Sequence, residues 1–370
     1  MNIAPTGRPP FRADHIGSLL RSATLRQGYQ DLLARKVSEA RFREIQDEAI
    51  RAIVKLQEQV GFQVVNDGEF RRGSYWGRFV QLTDGLVIKE AMYKFHDGHG
   101  HETEFTAPHV SGKVRRRQPI ATDEVAFVRG ITDRVPKITL PSPSTMHVWR
   151  GRRYADPGIY DSAEAFFADL GRVYQEEIAD LAAAGAQYVQ LDEVALAMLC
   201  DRTAREKVKA DGEDPERLVD LYVDAINQAV AARPADLVVG VHMCRGNFRG
   251  QYLAEGGYDS VADKLFQRAN VNHFLLEYDT PRAGDFAPLR FVPNGKGVVL
   301  GMISSKAEAL EPIDLLKRRA AEAAKYVDAD RLAISPQCGF ASTAAGNPLS
   351  EAAMRAKLAL VVDAAAAIWG

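Results

Sequence analysis

The sequence predicts an α/β fold, a (β/α)₈ (TIM) barrel formed as a single domain over residues 1–370. Short apolar runs alternate with amphipathic helical patterns along most of the chain, eight such runs are present, and they are rich in Val, Leu and Ile. An open doubly wound sheet would also give this alternation, but no glycine-rich phosphate-binding fingerprint follows the first run. We therefore prefer the barrel.

The first predicted elements are an N-terminal extension and the start of the barrel. Residues 1–40 form the extension, with one helix at about 23–35. The run "ADHIGSL" at 13–19 predicts the first strand, and a helical pattern at 41–60 leads to the second strand, "GFQVVNDGEF" at 61–70.

A segment at about residues 80–134 interrupts the alternation of strands and helices. The stretches "HDGHGHETEF" and "SGKVRRRQPIATDEVAFVRG" lie here, and we predict an insertion with hairpin character after the second strand. The alternation then resumes to the C-terminus. Strands are predicted at 135–144, 186–193, 236–244, 272–279, 297–304 and 331–339, and helices rich in Ala, Leu and Glu at 162–184, 213–232, 312–326 and 349–368.

Composition and charge exclude several classes of protein. A formal net charge of -2 and a pI near 6.5 give no overall attraction to nucleic acid or to an anionic membrane. No apolar run approaches the roughly 20 residues of a membrane span, and the start lacks the apolar core of a secretory signal, so we expect a cytoplasmic protein. Three cysteines cannot build a disulfide framework, so each is interpreted as a metal ligand, a nucleophile or core filling.

In a barrel of this kind the active site lies at the carboxyl ends of the strands. Nearly every predicted strand ends in a group that can bind a metal, a proton or an amine. The candidates are Ser18, Asp67, Glu69, Asp192, Glu193, His242, Cys244, Glu277, Asp279 and Cys338.

Four of these residues make a plausible zinc site. Side chains two residues apart on a strand point the same way, so His242 and Cys244 can face one ion. Glu277 ends the next strand and Cys338 ends the eighth. One His, two Cys and a carboxylate suit tetrahedral Zn²⁺ better than Mg²⁺ or Ca²⁺. Alone, the His and Cys pair is more typical of core residues than of ligands; the other two strand ends favour a metal.

The charge of this ligand set indicates what the zinc does. Two thiolates and one carboxylate give a site of about -1 with neutral His242, which is a poor Lewis acid for hydrolysis. If a substrate thiolate replaces the carboxylate of Glu277, the charge is unchanged and the sulfur stays nucleophilic. The site therefore favours alkyl transfer to sulfur. A closed zinc site that only ties strands together is the structural alternative.

The segments "HIGSLLR", "DGEF", "VQLDEVAL", "VHMCRGN", "FLLEYD" and "ISPQCGF", in this order, resemble the catalytic domain of the cobalamin-independent methionine synthase family from about residue 11 to the C-terminus. The resemblance implies methionine biosynthesis by an S-methyltransferase, with His242, Cys244, Glu277 and Cys338 as zinc ligands. It further implies that Glu69 and Asp192 bind the ammonium group of homocysteine, that Ile16 and Ser18 bind its carboxylate, and that Trp149 lies near the pterin ring of the methyl donor. Glu277 and Asp192 are the predicted catalytic residues.

The sequence also departs from this family. Full-length members carry two barrels, whereas this chain carries one, and Ile303 stands where members place a His that is thought to protonate the departing folate. A tertiary amine leaves poorly without a proton, so the donor is left open between a folate, a methylated corrinoid and another alkyl electrophile such as an epoxide. Alternative functions are alkyl transfer or C–S lysis on another thiol, a metal-dependent barrel hydrolase or decarboxylase, and a non-catalytic binding protein. Assembly into a homo-oligomer is also left open.

Three other features have simpler interpretations. The segment with His96, His99, His101 and Glu102 is interpreted as a solvated loop rather than a designed metal site. The basic run "KVRRRQP" at 113–119 is interpreted as a solvated face, with help in binding a glutamate tail or a corrinoid phosphate as the alternative. Cys200 is interpreted as a core thiol.

Overall fold

A computed structural model, which describes residues 3–97, 100–344 and 346–370, shows one curled sheet of seven parallel strands surrounded by helices. The strands are β1 (Val64–Val65), β2 (Thr83–Glu90), β3 (Phe95–His96), β4 (Glu102–Thr103), β5 (Thr106–Arg116), β6 (Val135–Pro141), β7 (Tyr188–Glu193), β8 (Val238–Met243), β9 (His273–Glu277), β10 (Gly297–Ile303) and β11 (Leu332–Pro336). The helices are α1 (Ala23–Leu33), α2 (Glu39–Val60), α3 (Gly77–Gln81), α4 (Thr122–Arg129), α5 (Ala163–Ala183), α6 (Ala195–Met198), α7 (Arg202–Ala210), α8 (Pro215–Ala229), α9 (Asp259–Arg268), α10 (Ile313–Ala323) and α11 (Glu351–Trp369).

The large sheet has the strand order β1, β6, β7, β8, β9, β10, β11, and all neighbours are parallel. Every residue of β6 to β11 on this sheet is buried, which explains why these strands are continuous apolar runs. The helices α2, α5, α8, α10 and α11 follow the predicted helical segments closely. The α/β class with a curled parallel sheet is therefore confirmed. No helix within the described ranges is both long and apolar enough to cross a membrane.

The predicted first strand at 13–19 is wrong as a regular strand. Among the described residues, this segment pairs with a strand through one parallel bridge, between Ala13 and Ile334 of β11. The carbonyl of Ile16 instead accepts a hydrogen bond from the Gln190 side chain (2.7 Å), and the carbonyl of Gly17 accepts one from the Asn66 side chain (2.8 Å). The segment thus lies between β11 and β1, where side chains of the barrel interior replace the backbone ladder.

An antiparallel hairpin forms within the predicted insertion. The strands β2 and β5 pair from Thr83 opposite Arg116 to Glu90 opposite Thr106, and β3 pairs with the short β4. A bridge from His96 to Tyr252 ties the hairpin to the segment after β8, at the carboxyl edge of the large sheet. The segment ends in α4, which the sequence analysis did not predict.

Candidate active site

Four side chains from the ends of β8, β9 and β11 meet at one point. The ligand atoms of His242, Cys244, Glu277 and Cys338 all lie within 4.8 Å of one another, and all four residues are buried. The two sulfur atoms are 3.4 Å apart. This convergence follows from the parallel ladder, in which neighbouring strands end at the same edge of the sheet. These are the four residues that the strand-end pattern of the sequence predicts as metal ligands.

Two atoms of this cluster have the properties of metal ligands. His242 Nδ1 lies 3.2 Å from the carbonyl oxygen of Leu275, and Glu277 Oε1 accepts a hydrogen bond from the backbone N–H of Arg245 (3.0 Å). The other polar atom of each side chain, His242 Nε2 and Glu277 Oε2, is buried without a hydrogen-bond partner in the described part of the chain. Buried polar atoms are normally paired, and the backbone contacts orient both side chains as outer contacts of metal ligands do. The donor set fits a tetrahedral zinc ion.

The pKa values of the cluster indicate that its two cysteines and Glu277 would release protons when a cation binds. The contact between the two sulfurs lowers the pKa of Cys338 well below its usual value and raises that of Cys244, because the pair shares a proton. Burial raises the pKa of Glu277 to about 7. A divalent cation stabilises the ionised forms of all three groups and would displace their protons.

A cavity of about 550 Å³ opens beside the cluster. Its lining includes His242, Cys244 and Cys338, whereas Glu277 is fully buried and is not among the described lining residues. The cavity disfavours the structural alternative, because a zinc ion that only ties strands together needs no adjoining pocket. The lining also includes all the substrate residues predicted from the sequence, namely Ile16, Ser18, Glu69, Trp149 and Asp192.

Glu69 is held firmly in the cavity wall. Its φ of 59° lies in the left-handed region, which is unusual for a residue other than glycine. The conformation is fixed on both sides: its N–H donates to Asp67 Oδ1 (2.8 Å), and its carbonyl accepts from Arg21 (3.0 Å). The Oε1 atom accepts from the hydroxyl of Thr139 (2.8 Å). The carboxylate is therefore pre-oriented.

Asp192 lies near Glu69 at the end of β7. Its Oδ1 accepts a hydrogen bond from Gln190 Nε2 (2.7 Å). Burial, with the negative charge of Glu69, raises the pKa of Asp192 to about 7, and burial also raises the pKa of Glu69. A cationic group bound between the two carboxyls would relieve both effects, so the pair suits an ammonium ion.

The segment at 13–19 packs closely against the residues that follow β11 and against Glu69. A Cβ on Gly339 would lie 2.1 Å from Ser18 Oγ, and a Cβ on Gly17 would lie 2.8 Å from Glu69 Oε1. Glycine at both positions allows these backbones to approach. The carbonyl of Ser18 accepts from the N–H of Phe340 (2.8 Å), which fixes Ser18 beside Cys338.

Aromatic rings form one side of the cavity. Of these rings, only that of Trp149 was predicted from the sequence to belong to the site. The ring of Phe105 contacts Trp149 edge to face at 5.2 Å and lies 4.9 Å from the ring of Phe95. Phe95 in turn lies 5.3 Å from the ring of Phe248. Phe95 and Phe105 come from the insertion, Trp149 from the segment after β6 and Phe248 from the segment after β8, and no periodicity in the sequence brings them together.

The remaining sequence features lie away from the cluster. Ile303 at the end of β10 is fully buried and is not among the described residues that line the cavity. Cys200 is a buried thiol whose Sγ lies 3.5 Å from the Leu196 carbonyl, as expected of a core residue. In the basic run, Arg116 pairs with Glu177 at 2.8 Å. His99 lies outside the described residues.

Comparison with known proteins places relatives along the whole chain. The family described as the catalytic domain of cobalamin-independent synthase matches residues 11–367. YxjH of Bacillus subtilis, an uncharacterized protein, is 40% identical over 98% of this chain and 96% of its own length. The methionine synthase of Pyrococcus abyssi is 26% identical over 88% of this chain and 85% of its own. A Listeria monocytogenes structure, assigned as a vitamin-B12 independent methionine synthase, is 31% identical, covers 100% of both chains and has a TM-score of 0.78.

Proposed function

Because the chain belongs to the cobalamin-independent methionine synthase family, we propose that it is a zinc-dependent S-methyltransferase that converts homocysteine to methionine. One observation supports this most strongly. Of the four candidate ligands, two have orphaned buried atoms and three line a cavity that also contains the carboxyls of Glu69 and Asp192. A thiol with an ammonium group at its other end is complementary to both features.

The proposed roles of the metal ligands follow from their charges. Zinc bound by His242, Cys244, Glu277 and Cys338 would supply the positive charge that lets a substrate thiol ionise near neutral pH. Glu277 would be the ligand whose negative charge a substrate thiolate matches, because exchanging one anion for another would leave the charge of the site unchanged. The backbone N–H of Arg245, which donates to Glu277 Oε1, would orient this carboxylate.

The amino-acid end of homocysteine is proposed to lie between the first segment and β7. Glu69 and Asp192 would pair with the ammonium group, and the hydroxyl of Ser18 with the backbone of Ile16 would bind the carboxylate. The fixed positions of Glu69 and Ser18 mean that little side-chain entropy is lost on binding. The sulfur is thereby aimed at the cysteine side of the cavity.

Metal content and thiolate binding test this function. The purified protein is expected to hold about one zinc per chain, and the Cys338→Ala variant is expected to lose the zinc and methionine formation. Cys200→Ala is the matched control, since Cys200 is also a buried thiol but lies outside the cluster. In cobalt-substituted protein, Cys244 and Cys338 should give a sulfur-to-cobalt absorption band, and homocysteine should increase its intensity as a third sulfur binds. A protein without zinc, or a fully active Cys338→Ala variant, would refute the proposal.

A further inference from the structure

The charges around the cavity restrict the methyl donor. Among the described residues that line it, none is a lysine or an arginine. The lining does include the carboxyls of Glu69, Asp192 and Glu104. Glu104 at the rim lies 3.5 Å from Lys94, so its charge is offset there, whereas Glu69 and Asp192 are buried. The interior therefore has no fixed cation with which to pair an anionic donor.

Two cations close to the cavity are engaged elsewhere, and exposed Arg249 lies over the ring of Phe248, with its guanidinium carbon 5.4 Å from the ring centroid. Arg72 forms a buried ion pair with Glu124 at 2.5 Å. Lys306 donates to the carbonyl of Gly246 (3.0 Å) and is not among the described lining residues. A donor that carries several carboxylates would have to lose water in this cavity without gaining an ion pair, which is costly.

The aromatic side of the cavity adds a second, independent feature. The rings of Trp149, Phe105, Phe95 and Phe248 form a continuous series with centroid separations of 5.2, 4.9 and 5.3 Å, and all four residues line the cavity together with Cys244. The faces of aromatic rings carry negative potential and attract cations, best when the cation is weakly hydrated and desolvated. Methylated onium groups have these properties.

We propose that the methyl donor is a small onium compound, a methylsulfonium or a methylated quaternary ammonium, which rests on the methyltransferase function proposed above. The electron pair of the substrate thiolate forms the new carbon–sulfur bond. The bond from the methyl group to the onium atom breaks, and its electron pair remains on the departing atom. The leaving group is a neutral thioether or tertiary amine, so no proton is needed.

The chemistry agrees with the surroundings of the site. An anion and a cation are converted into two neutral molecules, a change that is favoured beside aromatic rings rather than in bulk water. Buried Ile303 at the end of β10 supplies no proton, and this reaction needs none. The cavity of about 550 Å³ is within the usual range of small-molecule sites, about 300–1,000 Å³.

A donor comparison tests the proposal. The zinc-loaded protein is incubated with homocysteine and, separately, with trimethylsulfonium, tetramethylammonium, 5-methyltetrahydrofolate, its triglutamate and methylcobalamin, and methionine is measured. We expect at least one onium donor to react more than about tenfold faster than the folate and corrinoid donors. Equal or faster reaction with a folate or corrinoid, or no methionine from either onium donor, overturns the proposal.

Binding of an inert cation gives a second readout. Choline and its uncharged carbon analogue 3,3-dimethylbutan-1-ol are titrated against tryptophan fluorescence. Choline should bind about tenfold more tightly, and Phe105→Leu, which keeps apolar volume but removes a ring, should abolish most of this preference. Tyr326→Leu, an exposed aromatic outside the cavity, is the control. Equal binding of the two compounds, or an unchanged preference in Phe105→Leu, contradicts the onium site.

Failure of the donor proposal and failure of the methyltransferase function are distinguishable. If homocysteine increases the sulfur-to-cobalt band in cobalt-substituted protein but neither onium compound yields methionine, the onium proposal is wrong and thiol activation stands. If homocysteine leaves the band unchanged, the proposed function is wrong, and the donor proposal falls with it.

Discussion

The hydroxyl of Thr139 in β6 is predicted to control how well Glu69 binds substrate. Thr139 Oγ1 donates to Glu69 Oε1 at 2.8 Å and accepts from Arg72 Nη1 at 2.9 Å. All three residues are buried. Replacing Thr139 with the similarly shaped Val removes both hydrogen bonds and leaves a carboxylate oxygen and a guanidinium nitrogen without that partner.

The magnitude follows from the charged partners. A hydrogen bond to a charged group contributes about 1.5–3 kcal/mol, and leaving a buried partner unsatisfied costs a similar amount. Arg72 retains its ion pair with Glu124, which limits the loss. We expect Thr139→Val to lower the free energy of unfolding by about 2–4 kcal/mol. Because Glu69 is then free to rotate, the KM for homocysteine should rise about tenfold, which corresponds to about 1.4 kcal/mol.

Urea denaturation, zinc content and homocysteine kinetics measure these effects together. Zinc content should be unchanged, because Thr139 contacts no candidate ligand in the hydrogen-bond network of the described residues. Thr83→Val is the matched control: Thr83 is equally buried, but its hydroxyl has no hydrogen-bond partner among the described residues. Wild-type stability together with a wild-type KM in Thr139→Val would refute the assigned role of Glu69.

Three further predictions address the same site. Gly339→Ala places a Cβ 2.1 Å from Ser18 Oγ, so kcat/KM for homocysteine should fall by more than about tenfold while zinc is retained; wild-type kinetics would contradict the assigned carboxylate site. Asp192, whose pKa is raised to about 7, is mostly protonated below that pH, so the KM should fall as pH rises from about 6 to 8, and Asp192→Asn should lose this dependence. Chelation should leave Cys244 and Cys338, with sulfurs 3.4 Å apart, open to a disulfide that blocks zinc until it is reduced; three free thiols in the denatured protein after oxidant treatment, rather than the one of Cys200, would argue against this.

The candidate metal ligands could be predicted because their positions depend on one simple rule. His242, Cys244, Glu277 and Cys338 each lie at or just after the carboxyl end of a recognisable apolar strand, and parallel strands bring those ends together. Strand-end position alone assigns no role to Glu69 or to the other cavity residues. Their predicted roles came from the resemblance to a family.

The missed features depend on contacts between distant parts of the chain. The segment at 13–19 fails as a regular strand because Gln190 and Asn66 bind its carbonyls through their side chains, which periodicity cannot reveal. The aromatic side of the cavity was missed for a related reason: Phe105 of the insertion reaches Trp149 only through the folding of the hairpin over the sheet.

The coordination of zinc, with and without homocysteine, tests the central claim most directly. X-ray absorption at the zinc edge counts the sulfur atoms bound to the metal. For the four candidate ligands we predict two sulfur neighbours in the substrate-free protein, from Cys244 and Cys338. A third should appear on addition of homocysteine, as the oxygen of Glu277 is lost. An unchanged sulfur count, or zinc bound elsewhere, would contradict thiol activation at this site.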